Sequence, residues 1–250
     1  MAQQKSFIKL EGKIGDLTFF KTKDGYQARE KGGVSADRIA SDPAFSRTRE
    51  NNAEFGRACE ASKQMRTVLR SIILLTSDNK MTNRLTSRMS RIIKADTMNV
   101  RGERKVLSEN MGLLKHFNFN AAAVLSSTIF ADYQVDFDSS TGQATFSIAA
   151  INPDVAIVKP NGATHYQFTV AAARIDFEGE GSALATTELP YHSLNSSTAA
   201  QEINLELGSD SELPVLLILG IGFYQEVNGV QYSLKNGAYN AISIISVQIS

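Results

Sequence analysis

The chain changes its hydrophobic period as it runs. It opens on short apolar runs, Phe7-Ile8-Lys9-Leu10 and Leu17-Thr18-Phe19-Phe20, punctuated by Gly12, Gly15 and Asp16, which read as strands. Asp24-Gly25 sits between Phe19–Lys23 and Tyr26–Arg29. Such a pair flanked by aromatic residues predicts a hairpin, with positive φ at both positions of a type I′ turn. Residues 1–34 therefore read as a β-ribbon arm, and a ribbon of that size is marginal alone.

From Ser41-Asp42-Pro43 the period becomes helical. Asp42 suits a cap and Pro43 the first helical position. Phe55, Cys59, Ser62, Leu69, Ile72 and Ile73 recur at helical spacing, which predicts one long helix over about 43–75. Gly56 costs roughly 1 kcal/mol in a helix interior and marks a possible bend. Ser77-Asp78 is a cap for a second helix carrying Met81, Leu85, Met89 and Ile92, and 102–114 reads as a third, shorter one.

After His116-Phe117-Asn118-Phe119-Asn120 the helical period stops. Tyr133–Phe137 alternates, Ser139–Gly142 turns, and Ala144–Ile151 returns. Further strands are expected at 166–178, 182–189, 201–207, 214–225 and 230–234, with Asn228-Gly229 joining two of them and Asn236-Gly237 before the last. The fold class expected is α+β: an N-terminal β-ribbon and two to three helices, then an antiparallel β-sandwich over 117–250. In the final stretch Ile242 and Ile244 share one parity, and Ile245, Val247 and Ile249 the other. A strand changes face only through a bulge or bend, so one is expected near Ile244-Ile245.

Charge divides the chain differently from its total of zero. Residues 1–116 hold 23 of the 26 Lys+Arg and 13 of the 26 Asp+Glu, a net +10; residues 117–250 hold 3 and 13, a net −10. The helical region 35–116 is thus basic and the sandwich acidic. Opposite fields on two parts of one molecule favour head-to-tail contact between copies. The remaining composition, 42% hydrophobic and 21% charged, is that of an ordinary globular protein and adds no class of its own. The opening residues lack the apolar core of a signal peptide and no window suits a membrane span, so a cytoplasmic protein, or export by a route without a conventional signal, is expected. The single Cys59 excludes an intramolecular disulfide.

Enzymatic constellations do not appear. There is no His-Glu-x-x-His, Cys-x-x-Cys, Walker loop or Gly-x-Ser-x-Gly elbow, and Gly220-Ile221-Gly222 lacks the third glycine of a dinucleotide site. His116, His165 and His192 are scattered. Asp136 and Asp138 read as a solvated hairpin tip, and Asp176, Glu178 and Glu180 as a polar strand face; no catalytic residue, metal ligand or cofactor is expected. The basic stripe Lys80, Arg84, Arg88 and Arg91 suits phosphates, or acidic surface on another copy.

The stretches Gly15-Asp16-Leu17-Thr18-Phe19-Phe20-Lys21-Thr22-Lys23-Asp24-Gly25-Tyr26, Arg29-Glu30-Lys31-Gly32-Gly33-Val34 and Phe45–Gly56 resemble a family of uncharacterised proteins from Bacteroidota genomes. The resemblance covers roughly residues 7–75. It implies a bacterial origin and a fixed N-terminal module, and no activity.

These patterns lead to one expectation: a non-enzymatic structural protein whose partners are other copies of itself, assembled as a filament, tube or shell. The residues expected at its interfaces are Phe7, Leu10, Leu17, Phe19, Phe20 and Tyr26 of the arm, Arg84, Arg88 and Arg91 of the basic stripe, and Ile245, Val247 and Ile249 of the uncharged last strand. The alternatives are nucleic-acid binding through the basic region and ligand binding on the sandwich.

Overall fold

Two apolar runs, Val170–Ala173 and Val215–Phe223, show no polar alternation, which is the pattern of strands covered on both faces. The computed structural model, which describes residues 2–30, 32–76, 78–179, 181–209, 213–234 and 237–249, pairs these two runs at the centre of a sheet. The chain divides into two compact units, 1–49 and 50–250.

The first unit is a four-stranded antiparallel sheet in the order β1-β4-β3-β2, from β1 (Ala2–Gln3), β2 (Gly12–Ile14), β3 (Leu17–Thr22) and β4 (Gly25–Glu30). Phe7–Leu10 is not a strand; it lies in the connection between β1 and β2, whose pairing falls on shorter, more polar segments. The β3–β4 hairpin forms as expected, but positive φ falls on Gly25 alone (107°), so the turn is not type I′. A short helix α1 (Ala36–Ser41) follows. Asp42 then caps a 3₁₀ turn over Pro43–Phe45 by accepting from the Ala44 N–H. None of the described residues among 2–49 is buried.

Helix α2 (Ser46–Val68) runs through Gly56 without a break and stops at Leu69, before the single turn α3 (Arg70–Ile73). Its buried side is Glu54, Ala58, Ala61, Ser62 and Met65, so Phe55 is left 57% exposed. Helix α4 (Met81–Lys94) buries Met81, Leu85, Met89, Ile92 and Ile93, one side of an i, i+4 repeat. Of the expected cap, Ser77 lies outside the described residues, and Asp78 accepts from the Lys80 N–H. The expected third helix is a 3₁₀ segment, Ser108–Leu114, because residues 96–107 are held as a loop.

That loop is organised by one carboxylate. Asp96, 1% exposed, accepts from the N–H groups of Met98, Asn99 and Lys105 and from the Asn99 side-chain amide. Burial, the largest influence, pushes its pKa up, but the Lys105 N–H, the Asn99 amide and the Asn99 and Met98 N–H groups outweigh it and bring the value from 3.8 to about 2. A depressed carboxylate contributes stability that is complete above its unfolded pKa and lost as pH falls through the folded one. Asp96→Asn is therefore expected to be less stable than the native chain at pH 7. The gap in urea midpoint should close as pH falls from 3.8 to about 2; a gap unchanged at pH 2 would show that the charge is not what holds the loop.

Short helices α5 (Leu125–Thr128) and α6 (Pro153–Ala156) interrupt the β-rich half. Its strands are β5 (Tyr133–Asp138), β6 (Gln143–Ile148), β7 (His165–Arg174), β8 (Ala183–Glu188), β9 (His192–Ser193), β10 (Gln201–Glu206), β11 (Val215–Val227), β12 (Val230–Ser233) and β13 (Ala241–Gln248). In the central sheet β7 and β11 are neighbours; β8 and β9 flank β7, and β12 and β13 flank β11. Strands β10, β6 and β5 form a second antiparallel sheet in that order.

Alternate residues of the central sheet enter two cores. Tyr166, Phe168, Val170, Leu217, Leu219, Ile221 and Phe223 meet Ala144, Phe146, Ile148 and Leu205 of the three-stranded sheet. Ala171, Ala173, Leu216, Ile218, Ile242 and Ile244 meet α2, α4 and the 3₁₀ segment. The result is three layers, helices on sheet on sheet, and the basic helices share a core with the central sheet. The expected bulge is present: pairing of β11 with β13 shifts between Leu217 and Ile218, leaving Ile245 as the extra residue. Ile242 and Ile244 thus face the helices while Ile245 faces the sandwich core. Asn228 (φ 54°) and Gly229 (φ 79°) make the tight β11–β12 turn. Asn236 lies outside the described residues.

Candidate functional site

One side of the arm sheet is mostly apolar. Directly paired residues share a side, so Ile14, Leu17, Phe19, Ala28, Tyr26 and Ala2 lie together, with Lys21 and Glu30 at the two ends of the β3–β4 ladder on the same side. Phe20 is on the opposite side, stacked under Arg29 with 5.4 Å from guanidinium to ring. Phe7 is 94% exposed, Ile14 60%, Leu17 43% and Leu10 40%; Phe19, Phe20 and Tyr26 are half-buried.

In the second unit, α4 turns its polar side to a hollow of about 560 Å³ lined by Lys80, Arg84, Arg88, Arg91, His116 and the 117–124 segment. A neighbouring hollow of about 410 Å³ shares Asn83, Ser87 and Arg91 and continues to Lys94 and Phe55. Five cations line the two hollows, and no carboxylate does among the described residues.

The stripe is not uniform in role. Arg84 pairs with Asp78, donates to the carbonyls of Asn118 (2.7 Å) and Phe119 (3.2 Å), and stacks on the Phe117 ring. Asp78 also accepts from the Ala121 N–H. Burial is the largest influence on that carboxyl and raises its pKa, but the Ala121 N–H and Arg84 outweigh it and the net shift is downward. Arg84 is a structural clamp, then, that fixes 117–121 against α4. Arg88 donates once, to the Leu113 carbonyl, and Arg91 is exposed. Lys80, Arg88, Arg91 and Lys94 have no ion-pair partner among the described residues. His116 closes the rim in a left-handed conformation (φ 64°), held by its N–H to the Ile244 carbonyl.

The outer surface of the three-stranded sheet is the counterpart. Residues that alternate with its buried ones are Gln134, Asp136 and Asp138 on β5, Gln143, Thr145 and Ser147 on β6, and Glu202, Asn204 and Glu206 on β10. Register sets Asp138, Gln143 and Glu206 in one row across the sheet. None of the three strands contains Lys or Arg, and none of the four carboxylates has an ion-pair partner among the described residues. The Ser140 hydroxyl, foremost, and its N–H keep the Asp138 carboxyl below the usual range.

The last strand is placed differently from an open interface. β13 pairs with β11 on one edge, while Phe117 and Phe119 bond to Ile244 and Ile242 on the other. Ile245 is in the core of its own chain, Val247 is half-buried against the helices, and Ile249 is 45% exposed. Asp176 is in a loop rather than a strand, accepting from the N–H groups of Glu178, Gly179 and Gly181; Glu180 lies outside the described residues. Among the described residues no group of three or more His, Cys, Asp or Glu is arranged to hold a metal ion, and no helix is long and apolar enough to cross a membrane.

No protein-family model matches the chain, and no curated protein matches it. Glu202 and Glu206 were the residues hardest to single out from sequence. Their alternation with Ile203 and Leu205 is visible, but only the pairing of β10 with β6 puts them on one face with Asp136 and Asp138, across β6.

Proposed function

We propose that this chain is a non-enzymatic structural subunit that associates with copies of itself through its N-terminal arm. The observation that carries this reading is that residues 2–49 fold into a sheet and a helix with no buried described residue, while large apolar side chains of the sheet and of the β1–β2 connection stay exposed. Burying a large apolar side chain stabilises by roughly 1.5–3 kcal/mol, so covering several of these on a neighbour is a strong drive to associate. A second copy is the partner that charge favours: residues 1–34 carry 7 basic and 4 acidic residues, net +3, against −10 over 117–250.

The test uses residues whose side chains lie open in the folded chain. Phe7→Ser, Leu10→Ser and Leu17→Ser together are expected to leave the thermal midpoint nearly unchanged, since exposed substitutions shift stability by no more than about 0.5 kcal/mol each. The same variant is expected to associate at least ~10-fold more weakly by sedimentation velocity, about 1.4 kcal/mol of lost contact. Particles of native size from this variant would refute the arm as the interface.

A further inference from the structure

The second unit carries two charged faces on opposite outer layers of the same three-layer stack. One is the groove along α4, with Lys80, Arg88, Arg91 and Lys94 unpaired among the described residues. The other is the outer surface of the three-stranded sheet, with Asp136, Asp138, Glu202 and Glu206 unpaired in the same sense. We infer that the α4 groove is a docking site for the acidic sheet face of a second copy, so that second units stack front to back. This rests on the reading of the chain as self-associating, and it names a surface that reading does not include.

Spacing supports the fit. Cations one helical turn apart, Arg88 and Arg91 or Arg91 and Lys94, are separated by roughly 4.5 Å along the axis. Carboxylates two residues apart on a strand are separated by about 6.8 Å, and strands two places apart by about 10 Å. Asp136, Asp138 and Glu206 are thus spaced more widely than the stripe, within reach of long Arg and Lys side chains, and span about the width of a helix. The sign is also selective. A groove with no carboxylate meeting a face with no cation has no like-charge opposition, and the reverse pairings, groove on groove or sheet on sheet, place like charges together. Exposed ion pairs are individually weak and screened by salt. The contact acts through their number, and it is salt-sensitive where the apolar contact of the arm is not. Because the two faces differ, the contact is heterologous and each added copy presents a fresh face for the next.

The experiment leaves Arg84 and Asp138 untouched, since both hold local structure. The full-length chain, Arg88→Glu/Arg91→Glu, Asp136→Lys/Glu202→Lys and the four changes combined are compared by sedimentation velocity at about 0.05 and 0.5 M salt, with circular dichroism melts as the folding control. The native chain is expected to fall, at the higher salt, to the smaller assembly that the arm alone supports, as the screening length shortens. Each double variant is expected to associate at least ~10-fold more weakly at low salt, and the combined charge swap to recover. Recovery is the decisive result, because a merely misfolded variant would not be rescued by two further changes. Double variants that assemble like the native chain at both salts would overturn the stacking and leave the arm reading intact. A native chain that stays monomeric at about 0.05 M salt would overturn both. A labelled 20-base-pair duplex that binds at 0.15 M salt and is lost with Arg88→Glu/Arg91→Glu, while self-association is unmoved, would overturn the stacking in favour of nucleic acid.

Discussion

Truncating Phe119 to alanine is expected to remove about 3–5 kcal/mol of stability, a large part of the 5–15 kcal/mol typical of a whole domain. Phe119 is fully buried and meets Phe117 edge to face, with ring centroids 5.3 Å apart. Its backbone N–H donates to Ile242, so the same residue fills the helix-side core and covers the outer edge of β13. The cavity left by truncation sits between layers that are each fixed by their own hydrogen bonding, which limits collapse. A urea titration of Phe119→Ala beside Phe119→Leu measures this. Leucine retains most of the buried volume and is expected to lose less than half as much. Equal losses would show that ring-specific contact, not volume, carries the effect.

Gly142→Ala is expected to cost about 2–5 kcal/mol, the sum of a left-handed backbone penalty and an overpacking penalty. Gly142 has φ 71°, and a Cβ built there would lie 2.3 Å from the Gly208 carbonyl carbon and 2.4 Å from its oxygen. Those are backbone atoms, so no side-chain rotation relieves the clash. Gly142 also receives the Leu207 N–H at its carbonyl and donates to Asp138, locking the β5–β6 turn to the end of β10. The substitution should therefore loosen the row Asp138, Gln143, Glu206 as well as lower the melting temperature. Gly162→Ala is the control. It shares positive φ (84°) but meets nothing within 4 Å, so it should show the backbone penalty alone. Matching losses at the two sites would show that the Gly208 contact relaxes freely.

Local features were legible in the sequence to the extent that one segment determines them. The bulge at Ile245 follows from the parity conflict between Ile244 and Ile245, and the Asn228-Gly229 turn from its own two residues. Helix α4 follows from the spacing of Met81, Leu85, Met89 and Ile92. Features set by distant partners were not. Phe7-Ile8-Lys9-Leu10 has strand composition, yet Ala2–Gln3 and Gly12–Ile14 take the pairing positions. Val106 and Leu107 continue a helical pattern, but Asp96 gathers the intervening N–H groups first. Arg84 matches Arg88 and Arg91 in spacing, and its role as a clamp depends on carbonyls at 118 and 119 that arrive from another segment.

The layering over residues 50–250 has an electrical consequence apart from any assembly. A chain with zero formal net charge does not migrate in a uniform field. With cations on the helix layer and carboxylates on the far sheet, residues 50–250 nevertheless carry a dipole moment across their three layers, and that field exerts a torque on it. Near a charged boundary, where the field falls off over about a Debye length, it is turned and then drawn in whichever sign the boundary has. A negative surface meets the α4 groove and a positive one meets β5, β6 and β10. Adsorption of this molecule is thus oriented, and the sign of the support selects which face stays open to the solution.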